Sequence, residues 1–160
     1  MKTKIITLMF LFSGCGAILP IHYGSKVTPQ DPFPRASVKY KTLEYKQNEI
    51  RKDAKVQMWS ESRLQGEMDI LPAGGSLHIV IRGASVESAN TEWWEYIIQD
   101  MNGRDIMRVK GEWDVPKYNQ YSGWWNTDIV WIKYPITRPF KVFVIDTVLN
   151  KRFEFVVSET

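Results

Sequence analysis

One cysteine and two histidines are all that 160 residues hold of the side chains that most often ligate metals or serve as nucleophile and base. A single thiol closes no intrachain disulfide, and thiolate zinc sites take several cysteines. His22 lies in a proline-rich stretch, and His78 sits between Leu77 and Ile79 in a strand-like pattern, where a structural role is expected. No Ser, His and Asp arrangement and no histidine metal site follows from such spacing. Carboxylates are present, and Glu92, Glu95, Glu112, Asp114 and Asp128 are candidates for a glycosidase-type pair, yet nothing in the sequence singles out two of them. The chain also lacks a long apolar run. Its most apolar stretch, Ile5 to Phe12, is eight residues, against about 20 for a membrane-crossing helix. No internal repeat or low-complexity segment is present. The expectation is a protein without catalytic activity.

The one cysteine is informative by position. Lys2 and Lys4 precede the apolar stretch, and Ser13, Gly14 and Cys15 follow it directly. A positive start, a short apolar core and small residues at a cleavage point form a signal-peptide layout. The segment Leu11, Phe12, Ser13, Gly14, Cys15 resembles the end of a bacterial lipoprotein signal peptide, with Phe12 where that family's usual motif has leucine. The resemblance covers about the first sixteen residues and implies cleavage before Cys15 and acylation of its thiol; an ordinary secretory peptide cleaved near Ala17 or Pro20, or an uncleaved apolar anchor, is the other reading of the segment. Several acyl chains at about 0.8 kcal/mol per buried methylene hold a protein on a membrane almost permanently. Gly16 follows the cysteine in place of the aspartate that favours the inner membrane in the family's sorting rule, so the resemblance implies the outer membrane. The face of the membrane is left open.

Removing Lys2 and Lys4 with residues 1–14 lowers the formal charge from +3 to +1. Nucleic-acid binding calls for a concentrated basic surface and is not expected. Lys39, Lys41, Lys46, Arg51, Lys52 and Lys55 form a modest cluster, read as a solvated edge strand guarded by lysines. Residues 15–35 hold Pro20, Pro29, Pro32 and Pro34 and read as the lipidated cysteine and a tether reaching roughly 60 Å when extended. Residues 36–160 form one domain, large enough to bury a core without disulfides.

From residue 36 the apolar pattern alternates, with turn residues every eight to twelve positions, which predicts an all-β fold: a single β-sandwich of about eight mostly antiparallel strands, immunoglobulin-like or C2-like. Strands are expected near 37–46, 55–60, 76–82, 93–100, 104–110, 128–134, 140–146 and 151–157, and helical spacing is hard to find. Asn102-Gly103 predicts a two-residue hairpin turn, pairing Ile98 with Met107, Tyr96 with Val109 and Asp100 with Asp105. Trp94, Tyr96, Ile98, Met107 and Val109 then share the core face. A second hairpin joins residues 142–146 to 152–157. The Asp100–Asp105 pair is like-charged, and a bound calcium ion offsets such a pair, as does a wet hairpin tip or a bulged register.

Seven tryptophans are the second unusual quantity. Trp59, Trp94 and Trp131 fall in strand patterns and are expected in the core. Tyr118, Tyr121, Trp124 and Trp125 crowd a polar, glycine-containing segment that reads as a loop, together with Asn126. Aromatic rings interleaved with amides suit recognition of a protein or glycan ligand. Capping the end of the sandwich is the other reading of the same loop. The function expected is a lipid-anchored envelope protein carrying a binding module. The alternatives are a structural subunit of an envelope complex and a calcium-dependent membrane-contact module.

Overall fold

A computed structural model describes residues 35–158 as two facing antiparallel sheets of four strands, an eight-stranded β-sandwich as the alternation predicts. The strands are β1 (Ala36–Lys41), β2 (Ser76–Gly83), β3 (Trp94–Gln99), β4 (Asp105–Lys110), β5 (Lys117–Asn119), β6 (Gly123–Trp131), β7 (Phe140–Asp146) and β8 (Lys151–Val157). One sheet runs β1-β2-β6-β5 and the other β4-β3-β7-β8. Hairpins β3–β4, β5–β6 and β7–β8 each stay within a sheet, and the longer links between them cross from one sheet to the other.

Period-two side chains from both sheets meet in one core. Ala36, Val38, Leu77, Ile79, Ile81 and Val130 come from the first sheet; Trp94, Tyr96, Ile98, Phe140, Val142, Val144 and Phe155 come from the second. Burying each large apolar side chain contributes roughly 1.5–3 kcal/mol. Tyr40 stands edge-on to Phe140 at 5.3 Å, and its hydroxyl donates to the Gly74 carbonyl at 2.8 Å. At the opposite end Arg35 pairs with Asp146 at 3.1 Å and covers the Trp94 ring, joining the first described residue to the other sheet.

Two helices depart from the all-strand expectation: α1 (Leu43–Val56) and α2 (Glu61–Asp69) fill the connection from β1 to β2. The strand expected at 37–46 ends at Lys41, because Thr42 caps α1 by accepting the Tyr45 N–H at 3.1 Å. The strand expected at 55–60 is absent. Its residues form the end of α1 and the turn into α2, which Ser60 caps by accepting the Arg63 N–H at 3.3 Å. Glu, Lys, Gln and Arg, good helix formers all, dominate α1, while its apolar residues are too few to stamp a helical period on the sequence. The basic cluster therefore lies on β1 and α1, not along one edge strand. A third helix, α3 (Val86–Ala89), and a single 3₁₀ turn, Thr91–Trp93, lead into β3.

Helix α1 begins over the outer face of the first sheet. Glu49 accepts from Lys41 at 2.9 Å and pairs with Lys46 at 3.1 Å, and Lys46 also lies over the Trp131 ring. Trp131 is thus on the sheet's outer face, half-exposed under a lysine, and Trp59 lies in the α1–α2 turn beneath Arg63, so of the three tryptophans expected in the core only Trp94 is there. The outer face of the second sheet carries ion pairs: Arg108 with Glu95 at 3.0 Å and Lys141 with Glu154 at 3.0 Å. Exposed pairs of this kind are screened by water and contribute little to stability.

Candidate functional site

The aromatic segment is a hairpin, not an open loop. Strand β5 pairs with the start of β6 in the register Lys117 with Trp125, Tyr118 with Trp124 and Asn119 with Gly123. The turn is built by its own residues. The Ser122 N–H donates to the Asn119 carbonyl at 3.2 Å, the Tyr121 N–H donates to Asn119 Oδ1 at 2.8 Å, and Gly123 takes the left-handed φ of 72° that closes the turn. Strand β6 consequently starts five residues earlier than the expected 128, and it ends at Trp131 instead of 134.

Alternation then sorts the aromatic rings. Tyr118 and Trp124 face each other across the strand pair with ring centroids 5.2 Å apart, tilted by 58°. On the opposite side of the ribbon, Lys117 Nζ lies 5.2 Å over the Trp125 ring. Tyr118 is 63% exposed and Tyr121, at the turn, 76%; Trp124 and Trp125 are half-buried, and none of the four joins the core. Asn126 differs. It is buried, its Nδ2 donates to the Asp114 carbonyl at 3.1 Å, and its Oδ1 accepts the Thr127 N–H at 2.8 Å. It holds the β4–β5 link against β6 instead of facing outward.

That link extends the exposed apolar surface toward the hairpin. Trp113 and Val115 stand out from it while Pro116 is buried. The signal in the sequence was Glu112-Trp113-Asp114-Val115-Pro116, an apolar–acidic alternation ending in proline, too short to read as a strand.

One step further along the inner face of β6, Asp128 lies between the sheets. Its carboxylate accepts the Ile129 N–H at 2.8 Å and a backbone N–H from Glu112, and it meets the fully buried Tyr96 hydroxyl. That hydroxyl reaches no partner in good hydrogen-bond geometry, so the contact with Asp128 is close but poorly aligned. Burial raises both pKa values, and Asp128 raises that of Tyr96 further; hydrogen bonds only partly offset burial at the carboxyl. Of the candidate carboxylates, Glu112 lies close enough to Asp128 for its charge to raise the pKa of Asp128. With its acceptor sites turned to the chain's own donors, Asp128 serves as a bracket between sheets and link.

Asp100 and Asp105 do not oppose each other. The β3–β4 turn runs through Met101, Asn102 and Gly103, with the Gly103 N–H donating to the Asp100 carbonyl at 3.1 Å and the Asp100 N–H to the Arg104 carbonyl at 3.0 Å. Gly103, at φ 85°, completes a three-residue turn of the bulged type. Gln99 therefore faces Asp105, and a second irregularity beyond it restores the expected pairs Ile98 with Met107 and Tyr96 with Val109. Asp100 Oδ1 accepts the N–H groups of Asn102 and Arg104, both at 2.9 Å, and Asp105 takes Gln99 Nε2 at 2.6 Å and Arg108 at 3.3 Å. Such bonds, the Arg104 N–H at Asp100 and the Gln99 amide at Asp105 foremost, hold both carboxyls below their ordinary pKa values. The like-charge opposition that a calcium ion would offset is therefore not formed, and of the three expected ways to relieve it the bulged register is the one present. Among the described residues no group of three or more His, Cys, Asp or Glu is arranged to hold a metal ion.

His78 lies on the outer face of β2 with Nε2 buried and unpartnered. Burial and the charges of Lys41, Lys46 and Lys39 outweigh Glu49 and lower its pKa. Residues 1–34, which hold Cys15, the expected signal peptide and all of the expected tether but Arg35, lie outside the described residues. Among the described residues no helix is long and apolar enough to cross a membrane. No family model, curated protein or solved structure matches this chain.

Proposed function

We propose that the protein is a lipid-anchored component of a bacterial cell envelope, held at the outer membrane through Cys15, whose β-sandwich is a non-catalytic binding module. The β5–β6 hairpin is its recognition surface, for a protein or glycan ligand. The observation that carries this reading is the pair Tyr118 and Tyr121: largely exposed rings on a hairpin whose turn is fixed by Asn119 and Gly123, with Tyr118 braced by Trp124. A rigid aromatic surface loses little conformational entropy when a ligand covers it, and exposed rings carry large contact area. The sequence resemblance at Cys15 supports the anchor, and the limited net charge of the mature chain agrees with a partner other than nucleic acid.

The test is capture of envelope glycans and envelope proteins by the wild-type protein and by Tyr118→Ala/Tyr121→Ala. Binding lost in the variant with an unchanged unfolding midpoint supports the surface. Equal capture by both proteins refutes it. Metabolic labelling with a fatty acid, comparing wild type with Cys15→Ser, tests the anchor separately.

A further inference from the structure

The α1–α2 pair ends in an apolar tip that nothing in the sandwich uses. Met58 is the most exposed large apolar side chain among the described residues, at 90%, and Val56 follows at 79%. Met58 also adopts φ 51°, a left-handed conformation unfavourable to a side chain with a Cβ. That conformation closes α1, the Trp59 N–H donating to the Ala54 carbonyl at 2.9 Å across it, and the methionine side chain is left in solvent. Immediately behind the tip the last two turns of α1 carry Arg51, Lys52 and Lys55 against a single acid, Asp53, all exposed, and Arg63 of α2 stacks on Trp59 at 4.1 Å.

Apolar side chains at the end of a hairpin with a collar of cations one turn behind fit a lipid surface: the apolar groups enter the headgroup boundary, and the long basic side chains reach back to anionic headgroups. We infer that the tip formed by Val56 and Met58, with Lys52 and Lys55, seats on an anionic bilayer as a second membrane contact. The inference rests on the lipid-anchor reading. Two apolar residues bind a free domain to a bilayer only weakly, but a tethered domain docks intramolecularly at high effective concentration. Docking there fixes the orientation of the sandwich above the membrane.

The experiment uses the full-length protein reconstituted through its own anchor into vesicles of phosphatidylcholine, with or without phosphatidylglycerol. With the Cys15 thiol acylated, Gln57→Cys supplies the one reactive thiol for an environment-sensitive fluorophore, and Met101→Cys, at the β3–β4 turn, is the control position. A blue shift and brighter emission at position 57 in the anionic vesicles, and at neither position in phosphatidylcholine, is the expected result. Adding Lys52→Gln and Lys55→Gln lowers the docked-to-undocked ratio about thirtyfold, from roughly 1 kcal/mol for each basic residue near an anionic surface. An unchanged spectrum at 57, equal shifts in both vesicle types, or equal shifts at 57 and 101 overturns the inference. A shift appearing only when other envelope proteins are added assigns the tip to a protein partner and overturns it too. Failure of the protein to co-float with vesicles, or a second label on Cys15, counts against the anchor instead. The tip is then scored with anionic vesicles in excess, where no shift again overturns it.

Discussion

Tyr96 and Asp128 meet between the two sheets, phenol against carboxyl, one from β3 and the other from β6. Both are poorly solvated, and burial pushes the pKa of each up. This polar contact sits beside the apolar core, at the place where the β4–β5 link closes the sandwich.

A pH dependence follows. Burial holds the folded-state pKa of Asp128 above the ordinary carboxyl value of 3.8, so folding takes up a proton between the two. Its contribution to stability is greatest below the unfolded pKa, declines as pH rises through the folded one, and is level once both states are ionised. Glu49, Asp100 and Asp105 have lowered values and act oppositely, losing their contributions as pH falls. The Asp128 component is isolated by difference: the stability of Asp128→Asn relative to wild type rises between pH 4 and pH 7 in urea unfolding. A difference independent of pH contradicts the raised value.

Tyr118→Ala/Tyr121→Ala changes stability by no more than about 0.5 kcal/mol, because both rings are largely in water. Trp124→Ala costs more, about 2 kcal/mol, since the ring is half-buried and packs on Tyr118. Urea midpoints of the two variants check the order.

Met58→Gly stabilises the fold by about 1 kcal/mol, as glycine accepts the left-handed conformation without a Cβ penalty. The same substitution weakens docking of the α1–α2 tip on anionic vesicles. Stability and docking thus move in opposite directions, and thermal unfolding together with the vesicle assay measures both.

Gly75→Ala is expected to cost at least about 2 kcal/mol. Gly75 has φ 77°, and a Cβ there would run into the Lys41 carbonyl oxygen, where β1 passes closest to the turn entering β2. Gly66→Ala, on α2 with open space around it, is the contrasting variant and stabilises by about 0.5–1 kcal/mol through helix propensity.

How much of this was legible depended on burial. β7 and β8 were read with their observed ends because Phe140, Val142, Val144 and then Phe153, Phe155, Val157 alternate cleanly against one core. The β3–β4 pairs near the core were also correct, although the turn was not. One extra residue in the turn and one irregularity beyond Gln99 cancel, and core burial of Ile98 and Tyr96 fixes the register regardless of the loop. The helices were missed because α1 buries only Ala54 and α2 buries nothing, so neither has an apolar stripe to betray its period. Their real signals were the caps, Thr42 and Ser60. In the candidate site, the aromatic crowding was visible in the sequence, but the pairing of Tyr118 with Trp124 and the inward turn of Asn126 depend on a three-residue strand too short and polar to detect.

The Arg35 clasp has a mechanical consequence. β1 is an edge strand lying antiparallel to β2 through six register pairs, from Ala36 with Ile81 to Lys41 with Ser76. A pull applied through Arg35 along the strand axis loads those pairs together in shear instead of peeling them apart one by one. It must also break the Arg35–Asp146 ion pair and the Arg82 N–H to Arg35 carbonyl bond before β1 slides. Arg35 is therefore a point at which the sandwich resists tension directed along β1.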